Sequence, residues 1–226
     1  MFSWVEMPLG RCATTAGFLG RYGPDMARID HVLIPVDDLE RAAADLQQEA
    51  GLGSVAGGRH RGHGTANRIV PLGASYLELI AVVDVSEAAR SPFGNWVARR
   101  AAAGRPAGLC IAEAMDTVTA RLGLSAVPMT RRLPDGIELA WRVAGMAEAL
   151  SEGLPFFIEW DDLERHPGRS AVDHGVDPVG VEVTISGDVE RLRDWVGDVP
   201  DVAFIPGPPG LAAVTISTDG GRIDLR

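Results

Sequence analysis

The chain has 226 residues, 46% hydrophobic and 23% charged, a balance that allows a substantial core and excludes a mainly disordered chain. A formal charge of −10 opposes nucleic acid or an anionic membrane as the principal partner, since phosphate binding needs a basic face. All 21 basic residues are arginine, which excludes Schiff-base and lysine-nucleophile chemistry, and two cysteines are too few for a disulfide scaffold and fit a reducing cytoplasm.

Residues 1–25 lack the basic start and continuous apolar run of a secretion signal, and no later run reaches the roughly 20 apolar residues of a membrane span. They are expected to be a poorly ordered extension or the result of an early start codon, because Met26 directly precedes the first strand. IDHVLIPV (29–36) alternates like a half-buried strand, and DDLERA (37–42) reads as a capped helix start that runs to Glu49 and stops at Gly51. Short strands broken by Gly or Pro follow, ending in YLELI (76–80). Segment 86–106, around NWVARR (95–100), reads as a connecting helix ended by Gly104 and Pro106. GLCIAEA (108–114) with Asp116–Val118 is a second, weaker strand–helix start, closed by FFIEW (156–160). Segment 161–177 reads as a loop, with His174 at the surface. GVEVTIS (180–186) with GDVERL (187–192) superposes on the first copy without a gap, Asp188 on Asp38 and Glu190 on Glu40, and closes with RIDLR (222–226). The chain therefore reads as three βαβββ modules at 27–85, 107–162 and 178–226, each about 50 residues long.

These residues resemble the vicinal-oxygen-chelate superfamily, and within it the bacterial glyoxalase-like domain proteins. The resemblance rests on DHVLIPV (30–36) with its Asp-Leu helix, GGRHRGHGTAN (57–67), YLELI (76–80), RLPDG (132–136), and PFFIEW (155–160) with His166-Pro167. It implies an α+β fold in which repeated βαβββ modules form a cupped half-barrel, with 27–162 as the paired domain and 178–226 as a third module. It also implies a divalent metal held by residues from the first and last strands of each module. By position these are His31 and Glu78 in the first module, Leu109 and Glu159 in the second, and Val181 and Asp224 in the third. Only the first pair offers both ligand types. Iron, manganese, nickel or zinc would suit an imidazole and a carboxylate.

A histidine and an acid inside an apolar half-barrel are costly unless paired, protonation-shifted or bound to a metal, so a metal-free His31–Glu78 hydrogen-bonded pair stays beside the metal reading. His60 or His63 can supply a second nitrogen ligand. In the same glycine-rich loop Arg59, His63, Thr65 and Asn67 are placed against substrate, as are Arg132, Trp160 and His166. Glu159, beside Phe156 and Phe157, is placed in the pocket wall as a general base, with His60 as the second catalytic candidate. Cys110 reads as core filler. The expected function is a metal-dependent lyase, isomerase or dioxygenase acting on a small oxygenated metabolite. The other class is a metal-free binding or sequestering protein that stacks a planar ligand on Trp141, Phe156, Phe157 and Trp160. The third module's unpartnered sheet face predicts packing on the first two modules or on a second copy of the chain in a homodimer.

Overall fold

The computed structural model describes residues 26–132 and 138–225. Asp38 closes the first strand and opens the first helix, its side chain accepting from the Arg41 N–H at 3.0 Å. Asp188 repeats the device with the Arg191 N–H at 3.1 Å. From these starts the chain runs β1 (Arg28–Pro35), α1 (Leu39–Ala50), β2 (Val55–His60), β3 (Thr65–Pro71) and β4 (Tyr76–Val82). A linking pair, α2 (Val85–Ala88) and α3 (Pro92–Arg100), leads into β5 (Gly108–Ala112), α4 (Met115–Leu122), β6 (Val127–Arg132), β7 (Glu138–Ala144), α5 (Met146–Glu152) and β8 (Phe156–Trp160).

These eight strands form one curled sheet in the order β2-β3-β4-β1-β5-β8-β7-β6. In each half the first strand lies parallel to the last, β1 with β4 and β5 with β8, and the halves meet where β1 and β5 run antiparallel. Period-two alternation gives the sheet two apolar faces. Val32, Ile34, Leu77, Leu79 and Phe157 point to the outer side, where α1 and α4 add Leu46, Met115 and Val118. Leu33, Ile80, Cys110, Phe156 and Ile158 point into the cup, against Trp96 and Val97 of α3. The stretch expected as a glycine-rich loop is instead a hairpin, with His60 ending β2, His63 in the turn and Thr65 opening β3.

The third segment keeps the element order but not the pairing. It comprises β9 (Pro178–Gly187), α6 (Val189–Val196), β10 (Val202–Pro206), β11 (Gly210–Thr218) and β12 (Gly221–Leu225), arranged β10-β9-β11-β12. Here the strand after the helix lies parallel and adjacent to β9, whereas in the first two segments it pairs antiparallel with the next strand, away from the first. Val181, Val183, Ile185, Val214 and Ile216 join the outer-face core of the large sheet. Of the two expectations for this sheet face, packing on the first two modules is the one observed. Trp195 of α6 fixes the junction by donating to the Pro155 carbonyl at 2.7 Å.

Segment 161–177 is held along the first module. Gly73 N–H donates to the Gly168 carbonyl at 2.9 Å, and Gly175 N–H to the Gly51 carbonyl at 2.7 Å. His174, expected at the surface, is a half-buried clasp: Nδ1 accepts from the Gly53 N–H at 3.0 Å and Nε2 donates to the Pro71 carbonyl at 2.9 Å. The extension 1–25, the predicted turn at Pro134–Gly136 and the side chain of Arg132 lie outside the described residues. No described helix is long and apolar enough to cross a membrane. His174→Ala, which strips a partner from two backbone groups, should lower stability by about 1–3 kcal/mol in urea titration.

Candidate metal centre

Two polar residues in succession, Asp30 and His31, interrupt an otherwise apolar strand, and a regular strand would send them to opposite faces. The register of β1 on β5 resolves the conflict: Arg28 faces Ala112, Ile29 faces Ile111, and the next pair is His31 with Cys110. Asp30 is the extra residue of a bulge, which turns it to the cup side beside His31. Its carboxylate is 0% exposed and well supplied with donors. Oδ1 accepts from His31 Nδ1 at 2.7 Å, while Oδ2 accepts from Trp160 Nε1 at 3.0 Å and from His166 Nε2 at 3.1 Å. Burial alone would raise the Asp30 pKa, but the hydrogen bonds and charge of His166 and His31 outweigh it and hold the carboxyl well below its ordinary range.

His166 is itself fixed. The Gly168 N–H donates to its Nδ1 at 3.1 Å, so the ring proton sits on Nε2, toward Asp30. Glycine is required at 168 because a Cβ there would stand 2.4 Å from the Ser75 carbonyl oxygen. His31 is locked by Asp30 and by Tyr76, whose ring stacks on it at 4.6 Å between centroids and 19° between planes.

Glu78 lies on β4 one pleat beyond Tyr76, opposite Leu33. Asn67 Nδ2 donates to its Oε1 at 2.6 Å, and the Gly58 N–H donates to Asn67 Oδ1 at 2.7 Å, which fixes the amide orientation. Two imidazoles aim at the same carboxylate: His31 Nε2 is 3.5 Å from Oε2 and His60 Nε2 is 3.7 Å from Oε1. The far nitrogen of each is anchored, His31 by Asp30 and His60 by Thr65 Oγ1 at 3.0 Å. Burial pushes His60 below its ordinary pKa, outweighing the Glu78 carboxylate and seconded by Arg131 and His63, so this ring is held neutral.

The consequence for His31 follows from counting protons. Its Nδ1 faces a carboxylate and must carry a hydrogen, so a neutral ring leaves a lone pair on Nε2 facing a second carboxylate. Something positive has to stand between them, either a proton or a metal ion. At 3.5 and 3.7 Å the contacts are longer than charge-assisted hydrogen bonds of about 2.7–2.9 Å. A proton also needs only one imidazole, and two are present. His31 and His60 approach opposite oxygens of Glu78, and the three do not form a group whose ligand atoms all lie within 4.8 Å, so they would share one divalent ion only after a small rearrangement, with Asp30, Thr65 and Asn67 as hydrogen-bond partners behind them.

Asp30, His31 and Cys110 also bring ligand atoms within 4.8 Å of one another. That trio is the poorer cradle. His31 Nδ1 and both Asp30 oxygens are already engaged, and burial, with Asp30 and Glu78 beside it, pushes the Cys110 thiol well above its ordinary pKa.

A family model described as a glyoxalase-like domain matches residues 29–195, which spans the large sheet and continues through β9 into α6. The chain belongs to this glyoxalase-like family. Its curled sheet is that of the vicinal-oxygen-chelate superfamily. Among solved structures, a hypothetical protein from Staphylococcus aureus is similar over 87% of this chain and 98% of its own, at 14% identity and a TM-score of 0.61, a likeness of fold. Methylmalonyl-CoA epimerase from Mycobacterium tuberculosis matches 62% of this chain and 92% of its own, at 21% identity and a TM-score of 0.44. The Streptomyces coelicolor epimerase in complex with 2-nitronate-propionyl-CoA matches 61% and 100%, at 18% and 0.45. No protein of curated function matches the sequence.

Within this glyoxalase-like domain His31, His60, Thr65, Asn67 and Glu78 come together as one cluster, with His166 and Trp160 behind it on Asp30. His63 stands nearby, Nδ1 to Ser91 Oγ at 2.7 Å and its ring edge-on to Phe93. Other expectations are corrected. Glu159 is absent from the cup: Phe156, Ile158 and Trp160 point inward, so Glu159 faces the other way and pairs with Arg142. Phe157 likewise belongs to the outer core. The register pairs His31 with Tyr76 and Cys110 with Phe156, so the second-module counterparts of His31 and Glu78 are Cys110 and Ile158, not Leu109 and Glu159. Arg59 is turned outward, bonded to Asp84 and Glu87 at 3.1 Å each. In the third segment Val181 is core, and Asp224 accepts from Thr215 Oγ1 at 2.7 Å. Asp30→Asn should cost about 1–3 kcal/mol in denaturant unfolding, because an amide cannot accept from all three donors. It should also weaken metal uptake roughly 10–100-fold in calorimetry.

Proposed function

We propose that the chain is a divalent-metal enzyme acting on a small metabolite that presents two adjacent oxygens, with His31, His60 and Glu78 as the protein ligands. The supporting observation is the facing of two anchored imidazoles on one carboxylate that already has its own amide donor. Iron, manganese, nickel or zinc fits this donor set, and three protein ligands leave open positions for substrate. A bound ion would polarise a substrate oxygen and stabilise the negative charge that develops on it.

The chain's own groups do the rest. His31 and Glu78, 4% and 7% exposed, hold the floor of the site away from bulk water, whereas His60 and His63 lie partly open at its mouth. Indole rings of Trp141 and Trp160, 5.2 Å apart, give a planar substrate an apolar wall. His63, with Nδ1 held by Ser91, presents Nε2 at the mouth as an atom that can hold or move a proton. Proton transfer of a lyase or isomerase type suits these groups, since the Cys110 thiol is buried and protonated and serves no nucleophilic step.

A metal-free binding role is favoured by one observation: Cys110 and Ile158 replace any second-module ligands. The two readings separate cleanly. Protein purified without chelator and titrated with Mn, Fe, Ni and Zn by calorimetry should bind one ion per chain. His31→Ala, His60→Ala and Glu78→Gln should each weaken binding at least tenfold, and a wild-type chain that binds none overturns the metal reading. At an ion concentration 100 times its Kd, unfolding should require about 2.7 kcal/mol more than after chelation.

A further inference from the structure

One cationic side chain in the cup has no place in the ligand set. β6 is an edge strand, and its exposure alternates, with Pro128 and Thr130 exposed and Met129 and Arg131 half-buried. Met129 pairs with Trp141 and Arg131 with Leu139, both on the inward side of β7. The Arg131 guanidinium therefore reaches across the mouth to β2 on the opposite edge of the sheet. A Cβ added to Gly58 would stand 3.0 Å from its Nη1 and 3.2 Å from its Cδ, so the glycine leaves room for the arginine. Its charge is felt by His60 and Tyr76, within the cluster. In a chain with 31 acids against 21 arginines, Arg59, Arg68, Arg121, Arg142 and Arg191 all have carboxylate partners. Among the described residues Arg131 has none, which is also true of the half-buried Arg28 and Arg100, and it is Arg131 whose charge reaches His60 and Tyr76.

A half-buried guanidinium kept clear of carboxylates beside an apolar wall offers two parallel donors, which match the two oxygens of a carboxylate. Net negative charge elsewhere would repel such a ligand, so its capture needs a dedicated local cation. We infer that Arg131 anchors a carboxylate on the substrate, so that the metabolite is a small acid whose charged end lies under β6 while its two oxygens face His31, His60 and Glu78. This rests on the proposed metal reading for the oxygen end and on Arg131 alone for the charged end.

The test uses 2-hydroxy dicarboxylates of three to five carbons, tartronate, malate and 2-hydroxyglutarate, each beside the half-amide that neutralises the distal carboxylate. Calorimetry on the manganese-loaded full chain should give at least one acid bound tenfold or more tighter than its half-amide. Arg131→Gln should bring that ratio near one, Arg131→Lys should retain part of it, and Gly58→Ala should reduce it by crowding the guanidinium. The thermal midpoint should stay at the wild-type value in Arg131→Gln, and manganese affinity should not fall, since a cation near His60 has been removed. No acid preferred by the wild type, or a preference that survives Arg131→Gln, overturns the inference. Should the chain take up none of Mn, Fe, Ni and Zn, the metal reading fails by itself. The same ratios measured on chelated protein then decide the role of Arg131, with persistence of the preference supporting it and loss overturning it.

Discussion

A fully buried carboxylate at the seam of the two halves governs this molecule. Asp30 sits where β1 meets β5, and an isolated ion there would be prohibitively costly. Its three donors come from distant parts of the chain: His31 next to it, Trp160 at the end of β8, and His166 from the segment beyond. One charge therefore sets the His31 ring, joins the second half to the first, and draws the connecting segment into the sheet end. The bulge makes this possible, because only an extra residue lets acid and imidazole share a face.

The two halves repeat the same backbone with different chemistry. Equivalent inward positions carry His31, Tyr76 and Glu78 on one side of the seam and Cys110, Phe156 and Ile158 on the other. One half carries the imidazole and the carboxylate, and the other carries a dry wall. An asymmetric site of this kind concentrates electrostatics at one end of the cup and leaves apolar area at the other, a division suited to a ligand with a polar chelating end.

The sequence carried the fold more clearly than the site. Alternation in residues 29–36, the Asp-Leu helix starts and the acid-interrupted closing strands were legible, and so was the meeting of His31 with Glu78, both flanked by unambiguous apolar neighbours. What could not be read was parity. FFIEW is apolar at both phases of a period of two, so nothing local says whether Ile158 or Glu159 faces inward, and a slip of one residue exchanges the faces. Arg131 and Arg132 pose the same ambiguity. Asp30 was missed although a signal existed, since adjacent polar residues in an apolar strand require either a bulge or an unsatisfied charge. His166 had a fainter marker in Pro167-Gly168, a glycine whose missing Cβ admits the Ser75 carbonyl. The strand pairing of the third segment had no marker, because equal element order fits more than one sheet.

The outer face of the large sheet is sealed by the small one: Val183, Ile185 and Ile216 fill the same apolar layer as Val32, Leu79 and Phe157. A cradle curved on one side and braced on the other is stiff, so the spacing among its inward polar side chains is set by packing on the reverse of the strands as well as by the polar contacts in front. A homologue that dispensed with the last four strands would bare this layer to solvent, and would need an equivalent greasy surface from a neighbouring subunit to keep the same hollow.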